Sequence, residues 1–196
     1  MQAELLPNFI LENYEVHEWR QALAILRQDF RQEYAEVCDV LTRFRLQKPW
    51  ITVGGGRKSK VSEWIDGELL KYGWKAKNFD TKITVDGKDT ESPTHEVDCF
   101  KHRVALEIEW NNKDPFFDRD LNNFRLLFDL RVISVGVIIT RCDELQGVFD
   151  ELGRGSSYGA STTHMSKLLP RIQGGGGAGC PILAFGIKKS LYVGHL

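Results

Sequence analysis

A nearly unbroken apolar run, VISVGVIIT at residues 132–140, constrains the fold of this chain more than any other segment. Such a run is typical of a strand that is buried on both faces, because a strand with one wet face alternates apolar and polar side chains. A helix that crosses a bilayer needs about 20 apolar residues, so this run is too short. A strand covered on both faces needs a layer of structure on either side. The sequence therefore predicts an α/β (α+β) fold with a central mixed β-sheet flanked by helices.

Periodicity supplies the other elements of this plan. Residues 15–44 carry apolar side chains at helical spacings and predict one long helix or two in succession. The segment KVSEWIDGELLKYGWK predicts a helix that ends at Gly73, and Asp114-Pro115 begins another. TKITVDGK predicts a strand that runs into an Asp86-Gly87 turn. Three further segments predict a short helix in DELQGVFDEL, a last helix in HMSKLLPRI and a final strand in PILAFGIKK.

Composition indicates a single globular domain. The chain has 196 residues, of which 42% are hydrophobic and 27% are charged. Acidic residues interrupt the first fifteen positions, so we expect no secretory signal peptide. The four cysteines form no CxxC pair, which favours reduced thiols and a cytoplasmic location. The formal net charge of −1 does not by itself indicate a nucleic-acid binder, and local charge clusters must be considered separately.

The segment EVDCFKHRVALEIEW, residues 96–110, crowds four carboxylates into two predicted strands. If residues 97–99 and 104–110 pair as antiparallel neighbours, Asp98 lies opposite Glu107 and Glu96 lies opposite Glu109. Opposed side chains are about 5 Å apart at Cβ, and like charges at that distance destabilise a sheet. Oxygen ligands at this density suit Mg²⁺. The alternative is that Glu107 and Glu109 form the solvated face of an amphipathic strand.

Asp98, followed after eight residues by Glu107-Ile108-Glu109, resembles the catalytic signature of the PD-(D/E)xK nucleases, with Glu109 where most members have lysine. This variant is similar to the group of Type II restriction endonucleases that contains BamHI, BglII and BstYI. Segments before and after the signature resemble that group in the same order, over about residues 50 to 190. The resemblance implies a restriction-endonuclease-like fold. It also implies a single domain, 1–196, with an N-terminal helical part at 1–48 and a catalytic core at 49–196.

The resemblance implies a sequence-specific double-stranded DNA endonuclease that uses Mg²⁺, with two ions possible per site, and leaves 5′-phosphate and 3′-hydroxyl ends. Asp98 and Glu107 would hold the ion, with the Ile108 carbonyl as a further ligand. Glu109 would orient the attacking water, ligate a second ion or accept the water's proton. A helix position that bears Asn or Glu in the family aligns with Ser62 or Glu63. We expect Glu63 to act there as an accessory acid, and the alternative is a solvated helix residue.

Polar residues around the acids are candidates for DNA contact. Asn and Lys side chains suit base edges, and Arg and Lys suit phosphates. The alternatives are a polar turn before the next helix and flexible, solvated loops. The candidate base readers are Asn111, Asn112 and Lys113 in one loop and Arg154, Ser156, Ser157 and Tyr158 in another, and the candidate phosphate clamps are Arg57, Lys58 and Lys60.

The resemblance further implies a homodimer that acts on a short palindrome with a GATC core, together with a cognate methyltransferase. A two-fold dimer presents the same surface to each half-site. The helix predicted at residues 117–130 could pack across the two-fold axis, or its apolar side chains could cover the sheet. The five histidines are scattered; His95 and His102 flank the acidic strands and could approach phosphate, but a surface position is expected for them. Two other functions stay open: a structure-selective or repair nuclease, and a non-catalytic dimeric DNA-binding protein.

Overall fold

A mixed sheet of six strands forms the centre of the computed structural model, which describes residues 5–53, 58–91 and 94–194. The strands of this part of the chain are β1 (Tyr14–Trp19), β2 (Leu46–Gln47), β3 (Lys75–Lys77), β4 (Lys82–Val85), β5 (Lys88–Glu91), β6 (Val97–Lys101), β7 (Val104–Ile108), β8 (Val135–Arg141), β9 (Ile182–Ile187) and β10 (Tyr192–Val193). The sheet order is β1-β9-β8-β7-β6-β3. Strands β7, β8 and β9 are parallel, whereas β1, β6 and β3 pair antiparallel. The prediction of a central mixed sheet is confirmed.

Helices cover both faces of this sheet. Those in the described residues are α1 (Asn8–Asn13), α2 (Ala22–Asp29), α3 (Arg31–Arg43), α4 (Lys48–Thr52), α5 (Lys60–Lys71), α6 (Phe116–Asp129), α7 (Leu145–Glu151) and α8 (Met165–Gln173). Every residue of β8 is buried. Val137 and Ile139 belong to one apolar core with residues of α2, α3 and α5, whereas Ile138 belongs to a second core with residues of α6 and α8. The two-sided burial predicted for this strand is confirmed.

The N-terminal segment departs from the helix predicted over residues 15–44. Tyr14–Trp19 forms the edge strand β1, which pairs antiparallel with β9, and α2 begins only at Ala22. Arg20 and Gln21 adopt positive φ angles of 54° and 59°, a left-handed conformation that a right-handed helix cannot contain. A second break at Phe30 separates α2 from α3, in agreement with two successive helices. The described part of residues 1–48 is therefore not helical throughout, and the predicted division at residue 48 stays a prediction.

Most other predicted elements are present. Helix α5 ends at Lys71, just before Gly73, which has a φ of 87°. Asp86-Gly87 forms the predicted turn, between β4 and β5. Leu121 and Phe124 of α6 are buried in the second core, so these side chains cover the sheet. Among the described helices, none is long and apolar enough to span a membrane.

Candidate active site

Strands β6 and β7 bring two of the predicted acids together. Cys99 pairs with Leu106 across the antiparallel ladder, and the next step in the same register places Asp98 opposite Glu107. The Asp98 N–H donates a hydrogen bond to Glu107 Oε2 at 3.3 Å. Asp98 Oδ2 in turn accepts one from the Ile108 N–H at 2.9 Å. The predicted antiparallel pairing of β6 with β7 is confirmed, and each of these two carboxylates accepts a hydrogen bond from the backbone of the neighbouring strand. The predicted opposition of Glu96 and Glu109 lies beyond the paired residues of these strands.

A further acid, Asp120 of α6, reaches the same place and was not predicted from the sequence. Its side chain is fully buried, and its charge acts on both Glu107 and Glu109. Asp120 lies three residues after Phe117 and one before Leu121, and both of these side chains are buried. A carboxylate on the apolar face of an amphipathic helix is the sequence signal that could have identified it, because such a group is rarely buried without a partner.

His95 lies between two of these acids. Its Nε2 is 3.0 Å from Glu107 Oε1 and 3.2 Å from Asp120 Oδ1, and only 18% of the side chain is exposed. Burial opposes the charged form, but the two carboxylates raise the pKa of His95 to about 9. The imidazole is therefore a protonated counter-ion at neutral pH. The expectation of a surface histidine is wrong for His95.

The acids of the cluster are difficult to ionise without a further cation. Burial, and then the neighbouring acids, raise the pKa of Glu107 to about 8 against the hydrogen bond with His95. Burial and the carboxylate of Asp120 raise the pKa of Glu109 to about 10. Burial raises the pKa of Asp98 as well. Ionised forms of these groups would be stabilised by an added cation.

The donor atoms of the cluster suit a divalent cation. Within the described residues, one group offers ligand atoms that all lie within 4.8 Å of one another: His95, Glu107 and Asp120. Asp120 Oδ2 is buried and has no hydrogen-bond partner among these residues, so a cation would satisfy it. Carboxylate and carbonyl oxygens are the ligands that Mg²⁺ accepts. The carboxylates of Glu107 and Asp120 therefore fit a divalent ion, His95 could join them as a ligand only after losing its proton, and Asp98 lies beside this group rather than within it.

An open cleft of about 530 Å³ has Asp98 and Glu109 of the acid cluster in its wall. Two cations line it: Lys58, which forms an ion pair with Asp66 of α5, and Arg119, which contacts Glu109. The complete lining is Lys58, Ser59, Ser62, Glu96, Asp98, Ile108, Glu109, Trp110, Asn112, Phe116 and Arg119. Groups that could bind a metal ion and groups that could bind a phosphate thus share one cleft.

Helix α5 presents Ser62, and not Glu63, to this cleft. Glu63 is exposed, and its carboxylate lies 2.7 Å from Lys60 Nζ. Asp66, one turn after Ser62, is the acid of α5 that lies near the site, and its Oδ1 accepts a hydrogen bond from Cys99 Sγ at 3.2 Å. The geometry therefore favours a solvated helix residue for Glu63 over the accessory acid expected from the sequence.

The first predicted reading loop follows β7 directly. Asn112 Nδ2 donates a hydrogen bond to Glu109 Oε2 at 2.7 Å, so this side chain holds an acid of the site. Asn111 is half-buried with a φ of 61°, whereas Lys113 is exposed. Lys113 forms an isolated bridge with Thr162, which brings the second predicted loop alongside the first.

The second predicted loop is partly a 3-10 helix, Gly155–Tyr158. Ser156 and Ser157 are exposed and Arg154 is half-buried. Tyr158 is buried, and its ring stacks on Phe149 with centroids 4.0 Å apart. The Tyr158 ring therefore belongs to the core, which corrects its assignment as a reader of bases.

The predicted phosphate clamps lie in different surroundings. Lys58 lines the cleft, and Asp98 and Asp66 act on its charge. Lys60 is exposed on the first turn of α5 and pairs with Glu63. Arg57 lies outside the residues that the structure describes. Lys58 is thus the predicted clamp whose position fits phosphate contact beside the acids.

Comparison with known proteins identifies a family. The sequence matches the family model described as restriction endonuclease BglII/BglIII over residues 14–187. The match includes β1 through β9, and with them every acid of the cluster. Among curated proteins, no match to this sequence is found.

Proposed function

The chain belongs to the BglII/BglIII restriction endonuclease family and is therefore a Type II site-specific deoxyribonuclease, and we propose that it hydrolyses both strands of a short DNA palindrome with Mg²⁺ as cofactor. One observation carries the catalytic part of this proposal. Acids from β6, β7 and α6 meet beside a cleft that also contains a lysine and an arginine. Metal-dependent hydrolysis of a phosphodiester uses both the acids and the basic side chains, because the acids hold the ion and the basic side chains hold the phosphate beside it.

Asp98 and Glu107 are the proposed ligands of Mg²⁺, with the Ile108 carbonyl as a further ligand and Asp120 completing the negative charge; two ions per site are possible in this donor set. When bound, the ion would polarise the scissile phosphate and lower the pKa of a water molecule. His95, which is mostly buried, contacts the carboxylates of both Glu107 and Asp120. These side chains are therefore oriented before any ion arrives.

Glu109, ionised once a cation occupies the site, is the proposed acceptor of the proton from the attacking water. Its Oε2 accepts a hydrogen bond from Asn112, and its Oε1 lies 3.4 Å from Arg119, so both oxygens are oriented. Attack of the water oxygen on phosphorus, in line with the departing 3′-oxygen, would leave a 3′-hydroxyl and a 5′-phosphate.

A palindromic target implies a homodimer, because two-fold symmetry gives each half-site the same protein surface. Helix α6 supports this part of the proposal, since Phe116 and Leu130 near its two ends are 37% and 44% exposed. We propose a GATC core for the palindrome from the resemblance in sequence. A cognate methyltransferase that protects host DNA in the cytoplasm is the expected partner of the system.

Incubation of the protein with phage DNA and Mg²⁺, followed by sequencing of the fragment ends, tests the function. Discrete fragments with 5′-phosphate ends at one palindrome are expected. Asp98→Ala and Glu107→Ala should abolish cleavage and retain duplex binding, because each removes a ligand and negative charge near phosphate. Glu63→Gln is the matched control, since Glu63 is exposed outside the cleft.

Other outcomes would favour the alternative functions. Cleavage confined to branched DNA would favour a structure-selective or repair nuclease. Duplex binding without cleavage in any divalent metal would favour a non-catalytic DNA-binding dimer. Cleavage by Asp98→Ala at the wild-type rate would show that the site is assigned to the wrong residues.

A further inference from the structure

The guanidinium of Arg119 reaches the acid cluster from the solvent side. Its Nη2 lies 2.9 Å from Asp120 Oδ1 and 3.4 Å from Glu109 Oε1, and its Nε donates to Asp120 Oδ1 at 3.1 Å. Both acids are almost fully buried, whereas 43% of the Arg119 side chain is exposed. A partly exposed cation of the protein therefore contacts two of the oxygens that a divalent ion would also attract.

Arg119 differs from the other cation of the cluster in its exposure to solvent. His95 is 18% exposed and is enclosed between two carboxylates. The Arg119 guanidinium instead packs over the ring of Phe116, 4.3 Å from its centroid, and both residues line the cleft. Breaking an ion pair with a buried carboxylate is costly when that carboxylate is left without a partner, so this guanidinium can leave the acids only when another cation takes its place.

We propose that Arg119 exchanges its carboxylate partners for a DNA phosphate when the site takes up a divalent ion and DNA, an inference that rests on the proposed function. A divalent ion beside Glu109 and Asp120 supplies the charge that Arg119 provides in its absence, and it repels the guanidinium. A phosphate in the same cleft offers two oxygens, which suit the planar fork of arginine. Arg119 neutralises the acids of the free protein and contacts phosphate in the loaded complex.

Two measurements on Arg119→Met test this exchange. Titration calorimetry with Mg²⁺ in the absence of DNA should show several-fold tighter ion binding than in the wild type, because the competing cation is gone. Duplex binding in Ca²⁺ at a series of salt concentrations should be about tenfold weaker, and the slope of log K against log salt should fall by about one, as for one lost phosphate contact.

Arg31→Met is the control, since Arg31 is exposed on α3 and hydrogen-bonds the side chain of Gln28. Arg31→Met should leave the Mg²⁺ affinity, the duplex affinity and the salt slope at their wild-type values. Arg119→Lys keeps the charge but not the fork, so it should restore the salt slope without the full affinity. This variant also carries the comparison if Arg119→Met fails to fold.

An unchanged salt slope and DNA affinity in Arg119→Met would overturn the phosphate contact. Weaker Mg²⁺ binding in the same variant would overturn the competition, because Arg119 would then organise the acids rather than compete for them. Failure of the proposed function appears differently: the wild-type protein would cut no duplex DNA in Mg²⁺, whatever residue stands at position 119.

Discussion

At the scale of single residues, Asp120 offers a direct test of the acid cluster. Asp120→Asn keeps the size of the side chain and removes its charge, so the pKa of Glu109, which Asp120 raises, should fall. We also expect the apparent Mg²⁺ affinity and the cleavage rate to fall about 10- to 100-fold, as for other groups that support metal ligands. The Mg²⁺ dependence of the cleavage rate measures the apparent Mg²⁺ affinity and the maximal rate.

Asp118→Asn is a suitable comparison for this substitution. Asp118 lies on the same helix but is 59% exposed, and its carboxylate pairs with Arg171. Its loss should change the rate less than about twofold, as is usual for a surface substitution. If Asp120→Asn behaved like Asp118→Asn, Asp120 would have no part in the site.

The sequence predicted the acids that depend on local structure and missed those that depend on packing. Asp98 and Glu107 face each other because one tight turn sets the register within a few residues. Arg119 and Asp120 join them only because α6 packs against the sheet, and His95 joins them from the segment just before β6. The sequence shows that Asp120 lies on the apolar face of a predicted helix, but no spacing in the chain indicates which strand that face contacts.

At the scale of elements, strong periodicity predicted most helices and strands, whereas β1 was mistaken for helix. Its sequence, YEVHEW, mixes apolar and polar side chains, and Trp19 falls at a helical spacing from Leu23 and Leu26. What decides the strand is pairing with β9, more than 160 positions later in the chain, and that contact leaves no trace in local periodicity.

Gly136 of β8 tests how tightly α6 packs against the sheet. A Cβ at this position would lie 2.3 Å from Phe124 Cδ2, and the backbone cannot yield because β7 and β9 hold it on both sides. Gly136→Ala should lower the free energy of unfolding by about 1–3 kcal/mol. Gly147→Ala in α7 is the control, since nothing lies within 4 Å of its Cβ, and it should raise stability by about 0.5–1 kcal/mol. Urea denaturation measures both, and equal effects would contradict the close packing.

Arg141, at the end of β8, holds the second predicted loop in place. Its buried guanidinium donates to the Tyr158 carbonyl at 2.8 Å and to Thr162 Oγ1 at 3.0 Å. Arg141→Met leaves that carbonyl without its donor, so we expect a loss of about 1–3 kcal/mol and faster hydrogen exchange in residues 158–163. Thr163 forms hydrogen bonds with the backbone of Asn112 in the first predicted reading loop. DNA binding should therefore also weaken in Arg141→Met. Unchanged exchange in this loop would show that Arg141 does not support it.

At the scale of the whole molecule, the raised pKa values of the site couple stability to pH. Acids whose folded pKa is raised retain a proton that the unfolded chain has lost, so Glu107 and Glu109 weaken the fold as pH rises from 4.5 toward about 8 and 10. The raised pKa of His95 stabilises the fold below pH 6.5, and that contribution is lost as pH rises toward about 9. All three groups therefore lower the free energy of unfolding as the pH rises from 6 to 8.

The metal-free protein should therefore unfold at a lower temperature at pH 8 than at pH 6, by on the order of 5 °C. Mg²⁺ should reverse this trend, because the ion binds the deprotonated carboxylates and so competes less with protons at the higher pH. Thermal melts in EDTA and in Mg²⁺ at the two pH values measure the effect. Asp39 and Glu68 do not confound it, since their pKa values are lowered and they stay ionised throughout this window. A melting temperature in EDTA that rises with pH, or a Mg²⁺ shift that is equal at pH 6 and 8, would mean that the buried acids are not the groups that bind the ion.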